Sequence, residues 1–393
     1  MNISQVKKWL AFIIIRIFNR FPIKNNKVFL FSYYGAQFGC NPKYITYYIN
    51  KHYPKDTFDI VWAFNDPKSK EQNGSFRKVK TMSIRYFYEL CTAKVIITNF
   101  RTTDLFIKRK EQFYIQTWHS SLRLKQIEKD AENILPATYI EMAKKDSLKC
   151  DLLLSGCKFS TNICKQSFWY TGEIFEHGTP RNDILVQNNR QMREEILQRL
   201  DLSSDTKVLL YAPTFRKDNN LEVYNLDYDT LREKVTRKFG GKWIVLVKLH
   251  PHLLSKSNEL IESDHVMNVT TYDDIQELLV VADILISDYS SLIFDYAITA
   301  RPCFLYVPDL NEYVMKERDL YFKLTELPFI HATTKPDLLS KIDQYSSEEY
   351  KENITAFLNE IGSFEEGKAS QYVLKRMEDV CFNEGEDTTY ETV

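Results

Sequence analysis

The sequence has no glycine-rich phosphate loop. It contains only 11 glycines in 393 residues, and none of them stands in the pattern Gly-x-Gly-x-x-Gly or Gly-x-x-x-x-Gly-Lys. Those patterns bring backbone N–H groups close to the phosphates of dinucleotides or of ATP. Their absence argues against nicotinamide chemistry and against ATP hydrolysis.

An excess of charge of one sign is also absent, with 52 Lys and Arg against 53 Asp and Glu. Nucleic acid is therefore not an expected partner, and an anionic ligand must be held by local basic groups. The seven cysteines form no Cys-x-x-Cys pair. This pattern argues against a disulfide framework and a zinc knuckle, and it favours a reducing cytoplasm.

Long apolar runs are missing near the start of the chain. The uninterrupted run Trp9–Ile15 falls well short of the ~20 residues that span a bilayer, and no signal cleavage site follows it. On a helix, residues 1–22 gather apolar side chains on one side and basic ones around the other. This pattern fits an amphipathic helix on an anionic membrane surface. It also fits a terminal helix that packs on the protein's own surface. The basic residues are Lys7, Lys8, Arg16 and Arg20.

Short β-rich runs and amphipathic helical stretches alternate through the chain, a pattern typical of βαβ units with parallel sheets. The length fits two domains. We therefore predict an α/β protein with two Rossmann-like domains, residues 23–186 and 187–380, followed by a disordered tail, 381–393. The predicted strands are Val28–Phe31, Ile60–Phe64, Val95–Thr98, Phe113–Thr117, Leu152–Ser155, Ile174–Glu176, Val208–Tyr211, Ile244–Leu249, Val266–Val269, Ile284–Ser287 and Cys303–Val307.

Two histidines follow predicted strands, where ligands bind in such sheets. His119 comes after Phe113–Thr117, and a histidine there suits proton abstraction from an attacking hydroxyl. His250 ends a second strand, with Lys248 on the same side and Leu249 turned inward. A zinc site at His250 and His252 is the less favoured alternative, because no third ligand stands nearby.

Three further segments suit an anionic ligand. The pattern of residues Asp288–Asp295 predicts the start of a helix, where free backbone N–H groups and the hydroxyls of Ser290 and Ser291 would bind a diphosphate. The alternative is that Asp288 or Ser290 only caps the helix. Arg181, in the turn after Ile174–Glu176, is expected to pair with a phosphate through its planar fork. Thr214 and Arg216 follow the first strand of the second domain and are expected near a nucleotide.

Together and in this order, these segments resemble the CDP-glycerol glycerophosphotransferase family, the primases and polymerases of teichoic acids and related capsules. The resemblance runs from Gly35–Ile45 to Tyr306–Asp309. It implies a GT-B architecture and transfer of a polyol phosphate from CDP-glycerol or CDP-ribitol to a polyprenyl-diphosphate-linked hydroxyl, with CMP released. This chemistry is expected at the cytoplasmic face of the cell membrane, without a tightly bound metal or another cofactor.

The resemblance also implies roles for individual residues. His119 would be the general base, and His250 would contact the transferring phosphoryl group or the leaving group. Many members have Trp-His-Gly-Thr-Pro where this chain has residues 118–122, and arginine is common at Lys248. The implied substrate-binding residues are Ser120, Ser121, Leu122, Arg123, Arg181, Pro213, Thr214, Lys248, Leu249, Ser290, Ser291 and Asp295.

Two other functions remain open at this stage. One is a sugar transferase of the same architecture that uses a nucleotide sugar, because fold alone does not determine the substrate. The other is a membrane-surface scaffold without catalysis, which the many candidate anion contacts disfavour.

Overall fold

Two parallel β-sheets form the framework of the protein. The computed structural model describes residues 3–70, 74–216, 222–224, 226–250, 253, 265–316 and 319–383. The first sheet has seven strands in the order β3-β2-β1-β4-β5-β6-β7. Its strands are β1 Lys24–Phe31, β2 Asp59–Phe64, β3 Arg77–Lys80, β4 Ala93–Thr98, β5 Phe113–Gln116, β6 Leu152–Leu154 and β7 Glu173–Phe175.

The second sheet has six strands in the order β10-β9-β8-β11-β12-β13. The α/β prediction with two Rossmann-like sheets is confirmed, and all eleven predicted strands are present. The two that the prediction missed, β3 and β13, lie at sheet edges, where fewer buried side chains produce a weaker apolar signal. The strands are β8 Lys207–Tyr211, β9 Trp243–Val247, β10 Val266–Asn268, β11 Ala282–Ser287, β12 Cys303–Tyr306 and β13 Ile330–Ala332.

Helices cover the faces of both sheets, as parallel sheets require. Within the described residues they are Ile3–Phe18, Cys40–His52, Ile84–Thr92, Ala137–Ser147, Lys158–Ser167, Asp183–Gln187, Arg190–Arg199, Tyr228–Phe239, Ile275–Val281, Leu292–Ala297, Leu310–Lys316, Lys335–Gln344, Ser347–Glu360 and Ala369–Phe382.

The last helix, Ala369–Phe382, returns to the first sheet. Its buried side chains, Val373, Leu374 and Met377 among them, share a core with Val28 on β1 and with other residues of that sheet. The prediction that residues up to 380 belong to the second domain is therefore wrong for this helix, because its apolar face is covered by the first domain. Residues 381 and 382, which the prediction assigns to the tail, belong to this helix, and residues 384–393 lie outside the described part.

The first helix, Ile3–Phe18, uses one face to pack on the protein. Ala11 and Ile15 are buried against Phe87 and Cys91 of the helix Ile84–Thr92. Other apolar side chains of this segment face solvent, and basic residues flank them. In the described part of the chain, no helix has the length and hydropathy needed to cross a membrane. The exposed apolar residues, with their exposed fractions, are Trp9 (57%), Leu10 (47%), Ile17 (49%) and Phe21 (44%).

Candidate active site at the domain junction

His119 lies on the loop that follows β5, as predicted. The residue as a whole is exposed to solvent, while its ring stacks on the buried ring of Trp118, with 5.1 Å between centroids. An imidazole N–H donates to the backbone carbonyl of Asn99, just after the neighbouring strand β4. A donor contact of this kind orients the ring and leaves the other nitrogen available as an acceptor.

The backbone around His119 is left-handed on both sides. Trp118 has φ 49° and Ser120 has φ 64°, a region that side chains disfavour and glycine adopts readily. The Ser120 hydroxyl donates to the carbonyl of His119 at 2.5 Å. The loop therefore has a conformation that glycine adopts easily, although this chain carries serine there.

Replacing Ser120 by glycine is expected to stabilise the protein by about 0.5–1 kcal/mol, because glycine removes the left-handed strain but has more entropy in the unfolded chain. Ser120→Val is expected to destabilise it by more than about 1 kcal/mol, since a β-branched residue fits this conformation poorly. Urea unfolding of both variants measures the difference. A lower stability of Ser120→Gly than of wild type would contradict the strain argument.

Asp295 of the second domain anchors this loop. Its carboxylate accepts hydrogen bonds from the Ser121 N–H at 3.0 Å and from the Asn182 amide at 3.0 Å. It also forms a buried ion pair with Arg181 at 2.6 Å. The Leu124 N–H donates to the Ser291 hydroxyl at 3.3 Å. Polar groups from both domains thus hold the His119 loop at their junction.

Arg181 does not reach open space in this arrangement. Its side chain is only 4% exposed, and it donates to Asp295 and to Gln276, the latter at 2.9 Å. The preceding Gly178 has φ +82°, and a Cβ there would lie 2.9 Å from Glu365 Oε2. The turn is therefore tightly built. Arg181 pairs with a protein carboxylate where we had expected a phosphate.

His250 approaches the junction from the second domain. Its ring is exposed and lies 5.3 Å from the ring of Phe215. The adjacent Thr214 N–H donates to Asp288 at 2.8 Å. The Ser121 N–H, two residues after His119, donates to Asp295. The loops next to the two histidines, one from each domain, are therefore bonded to opposite ends of the segment Asp288–Asp295.

Other predicted anion contacts are engaged by protein groups. The Lys248 ammonium donates to the carbonyls of Thr270 at 2.8 Å and Tyr272 at 2.5 Å, and burial lowers the pKa of Lys248 to about 8. Arg216 pairs with Asp288 at 2.9 Å and with Asp309 at 2.7 Å. These contacts shape the loops around the junction.

The predicted Ser-rich helix start begins two residues later than expected. The helix is Leu292–Ala297, and the Ser290 hydroxyl accepts the Leu292 N–H at 3.4 Å, so the capping alternative is present. Ser290 and Ser291 are half-buried, whereas Leu122, Pro213 and Leu249 are buried beneath the loops.

The surroundings of His119 favour a neutral imidazole. Desolvation by the surrounding protein lowers the pKa of His119, and the positive charges of Arg123 and Arg181 lower it further, while the hydrogen bond to Asn99 acts in the opposite direction. Near neutral pH the ring is therefore unprotonated. A neutral imidazole is the form that accepts a proton.

Sequence reasoning missed the residues that join the domains. Lys43 forms ion pairs with Asp274 and Glu277, both at 2.7 Å, and all three are buried. Within the first domain, Asn41 accepts the Arg181 N–H at 2.9 Å and so fixes the turn that carries Arg181. The Asn41-Pro42-Lys43 stretch was part of the resemblance, but nothing in one sequence identifies a partner more than 200 residues away.

Metal ligands do not cluster in the described part of the chain. No group of three His, Cys, Asp or Glu side chains there is arranged to hold an ion. His252, the possible zinc partner of His250, lies outside the described residues. Asp227 caps the helix Tyr228–Phe239 by accepting the Thr230 N–H at 3.0 Å.

Comparison with known proteins identifies the family. The model of the CDP-glycerol:poly(glycerophosphate) glycerophosphotransferase family matches residues 13–379. The chain belongs to this family. The resemblance noted from the motifs is thus confirmed, and the match is wider than the segments that suggested it. Glycerophosphotransferases are enzymes, so the prediction of a transferase-type protein is confirmed at the level of the family.

Two relatives of this chain are named teichoic acid poly(glycerol phosphate) polymerases. The Staphylococcus epidermidis protein is 33% identical over 367 residues, which cover 89% of this chain and 50% of the relative. The Bacillus spizizenii protein is 32% identical over 385 residues, which cover 93% of this chain and 95% of the relative. The chain thus spans about half of the first relative and nearly all of the second.

A solved structure extends the similarity to three dimensions. The wall teichoic acid polymerase TagF, as a histidine-to-asparagine variant soaked with CDPG, is similar to this chain with a TM-score of 0.83 and 29% identity. The match covers 98% of this chain and 100% of that chain. The GT-B-like fold is therefore confirmed.

Proposed function

We propose that the protein transfers glycerol phosphate from CDP-glycerol to a hydroxyl of a polyprenyl-diphosphate-linked acceptor and releases CMP, as a step of teichoic acid synthesis. The observation that carries the proposal is a pair of exposed histidines from opposite domains, His119 and His250. The loops beside them are hydrogen-bonded to the two ends of the segment Asp288–Asp295. The family match and the similarity to TagF soaked with CDPG support the choice of donor.

The proposed chemistry follows from the protonation state of His119. The neutral imidazole accepts the proton of the acceptor hydroxyl as its oxygen bonds to the β-phosphorus of the donor. The bond between that phosphorus and the bridging oxygen breaks, and CMP leaves with the bonding electrons. His250 is assigned to the transferring phosphoryl group or the leaving group. Such transfer depends mainly on positioning and charge stabilisation.

Glycerol is the favoured polyol because both named relatives are glycerol phosphate polymerases. CDP-ribitol remains the alternative within the family, and a nucleotide sugar is the alternative outside it. The test is to measure CMP release with a lipid acceptor and CDP-glycerol or CDP-ribitol, and nucleotide release with a UDP-sugar as control. Release from the UDP-sugar alone would overturn the proposal.

The proposed location is the cytoplasmic face of the membrane, where the first helix would bind peripherally. Its exposed apolar side chains, Trp9, Leu10 and Ile17 among them, lie beside Lys7 and Arg16. Apolar side chains insert at the headgroup boundary, and basic residues attract anionic lipids.

Replacing both Trp9 and Ile17 by glutamate is expected to abolish sedimentation with anionic vesicles, because two charges replace the inserted apolar groups. Leu148→Glu is the matched control, since Leu148 is 85% exposed and lies on another element. Equal binding of the double variant and wild type would show that this helix does not carry the membrane contact.

A further inference from the structure

Two buried arginines lie against the same pair of aromatic rings behind His119. The Arg101 guanidinium carbon is 5.7 Å from the Trp118 centroid and 4.8 Å from that of Phe168. The Arg123 carbon is 5.7 Å from each. Both side chains are nearly inaccessible, with residue exposures of 2% and 4%. Their environments are therefore alike in packing.

The two arginines differ in how their charge is balanced. Arg101 forms ion pairs with Glu128 at 2.8 Å and Asp146 at 3.4 Å. Among the described residues, the polar contact of Arg123 is a 3.4 Å hydrogen bond to the Ser160 hydroxyl, and its Nε has no partner. Guanidinium does not lose its proton in proteins. A buried charge without a counter-ion is costly, so its retention calls for an explanation.

Other charges near His119 have partners that offset them or hold them in place. Arg181, from the turn after β7, is paired with Asp295. The Lys125 ammonium, on the same loop as Arg123, donates to the Tyr313 hydroxyl at 2.9 Å. On the side of β4, the imidazole forms a hydrogen bond to the uncharged backbone carbonyl of Asn99. Arg123 differs from half-buried Lys125 in being buried, and no carboxylate of the described residues contacts it directly.

We propose that Arg123 is a positioning residue for His119: its buried charge, close to the Trp118 ring on which His119 stacks, adds to the burial of the imidazole in favouring the neutral, proton-accepting form. The inference rests on the proposed function, because it assumes that His119 is the base. It assigns Arg123 a role through His119, in place of direct contact with the donor. Arg101 cannot serve in the same way because its two carboxylates cancel its field.

The test is the pH dependence of kcat/KM for Arg123→Met, which keeps an apolar side chain of similar reach and removes the charge. Without that cation the imidazole binds a proton more easily. The fall of kcat/KM at low pH, its acidic limb, is therefore expected to move to higher pH by about one unit. Arg123→Lys keeps a charge and is expected to keep the wild-type limb. Ser160→Ala removes the hydroxyl contact of Arg123 and the 2.6 Å hydrogen bond to the Ser121 carbonyl but leaves the charge in place, so the acidic limb is expected not to move.

A second readout does not depend on turnover. The NMR titration of the His119 ring, assigned by its loss in His119→Gln, is expected to shift to higher pH in Arg123→Met by a similar amount. Unchanged titration and an unchanged acidic limb in a folded Arg123→Met protein would overturn the proposal. Absence of CMP release in wild type would instead count against the proposed function, and the NMR titration would still test Arg123.

Discussion

Replacement of His119 or His250 by alanine is expected to lower kcat for CMP release by about 10²–10⁴-fold, the range that general acid and base groups contribute. Without His119, the acceptor hydroxyl would have to lose its proton to water as the new bond forms. Without His250, charge on the transferring group or on CMP would lose its partner. Stopped assays with CDP-glycerol and a lipid acceptor measure the effect directly.

The matched control for the histidine variants is His177→Ala. His177 is also an exposed histidine after a strand of the first sheet, but its ring lies against Phe175 and Tyr372, away from the junction contacts. Turnover of this variant is expected to equal that of wild type. If His119→Ala and His250→Ala each kept turnover within about tenfold of wild type while folded, the assigned roles would be wrong.

Replacement of Asp295 by alanine is expected to destabilise the protein by about 3–5 kcal/mol, because the change leaves the Arg181 guanidinium buried without its counter-ion. Asp295 also accepts hydrogen bonds from Ser121 and Asn182, so the loop that carries His119 would lose its anchor. The free energy of unfolding in urea is the measurement, and kcat is expected to fall together with it.

An exposed ion pair provides the comparison for Asp295. Arg190 and Glu194 lie 2.9 Å apart on one helix, and their side chains are 90% and 46% exposed. Glu194→Ala is expected to cost no more than about 0.5 kcal/mol. The double variant Arg181→Met/Asp295→Leu should regain much of the stability lost in Asp295→Ala, because both buried charges are gone. An equal loss in Asp295→Ala and Glu194→Ala would refute the interdomain ion pair as a stabilising contact.

The sheets were predictable because buried parallel strands carry continuous apolar runs. Strands such as Val28–Phe31 and Ile284–Ser287 are apolar on both faces, so the pattern appears in the sequence without knowledge of their neighbours. The edge strand Arg77–Lys80 is mostly charged, and its place in the sheet depends on pairing with β2. Helix Ala369–Phe382 had a clear apolar face, but the sequence does not specify which domain covers it.

The catalytic candidates followed a general rule, whereas their supporting contacts did not. His119 and His250 follow strands, and that position is where ligands bind in parallel sheets. Arg181 and Arg216 looked like phosphate contacts for the same reason, yet carboxylates distant in sequence neutralise both. The side-chain type indicates that an arginine pairs with an anion. Only the structure shows whether that anion is a protein carboxylate or is left to a ligand phosphate.

The sequence alone determined the alternation of strands and helices, the absence of glycine-rich phosphate loops and the placement of two histidines after strands, because each depends on residue type and local spacing. The tertiary structure decided that Asp295 holds the His119 loop, that Lys43 joins the domains and that Arg123 is buried with no carboxylate of the described residues in contact with it. These features depend on which distant side chains come within a few ångströms of each other. Burial, which determines how strongly charged groups interact, exists only after the chain has folded.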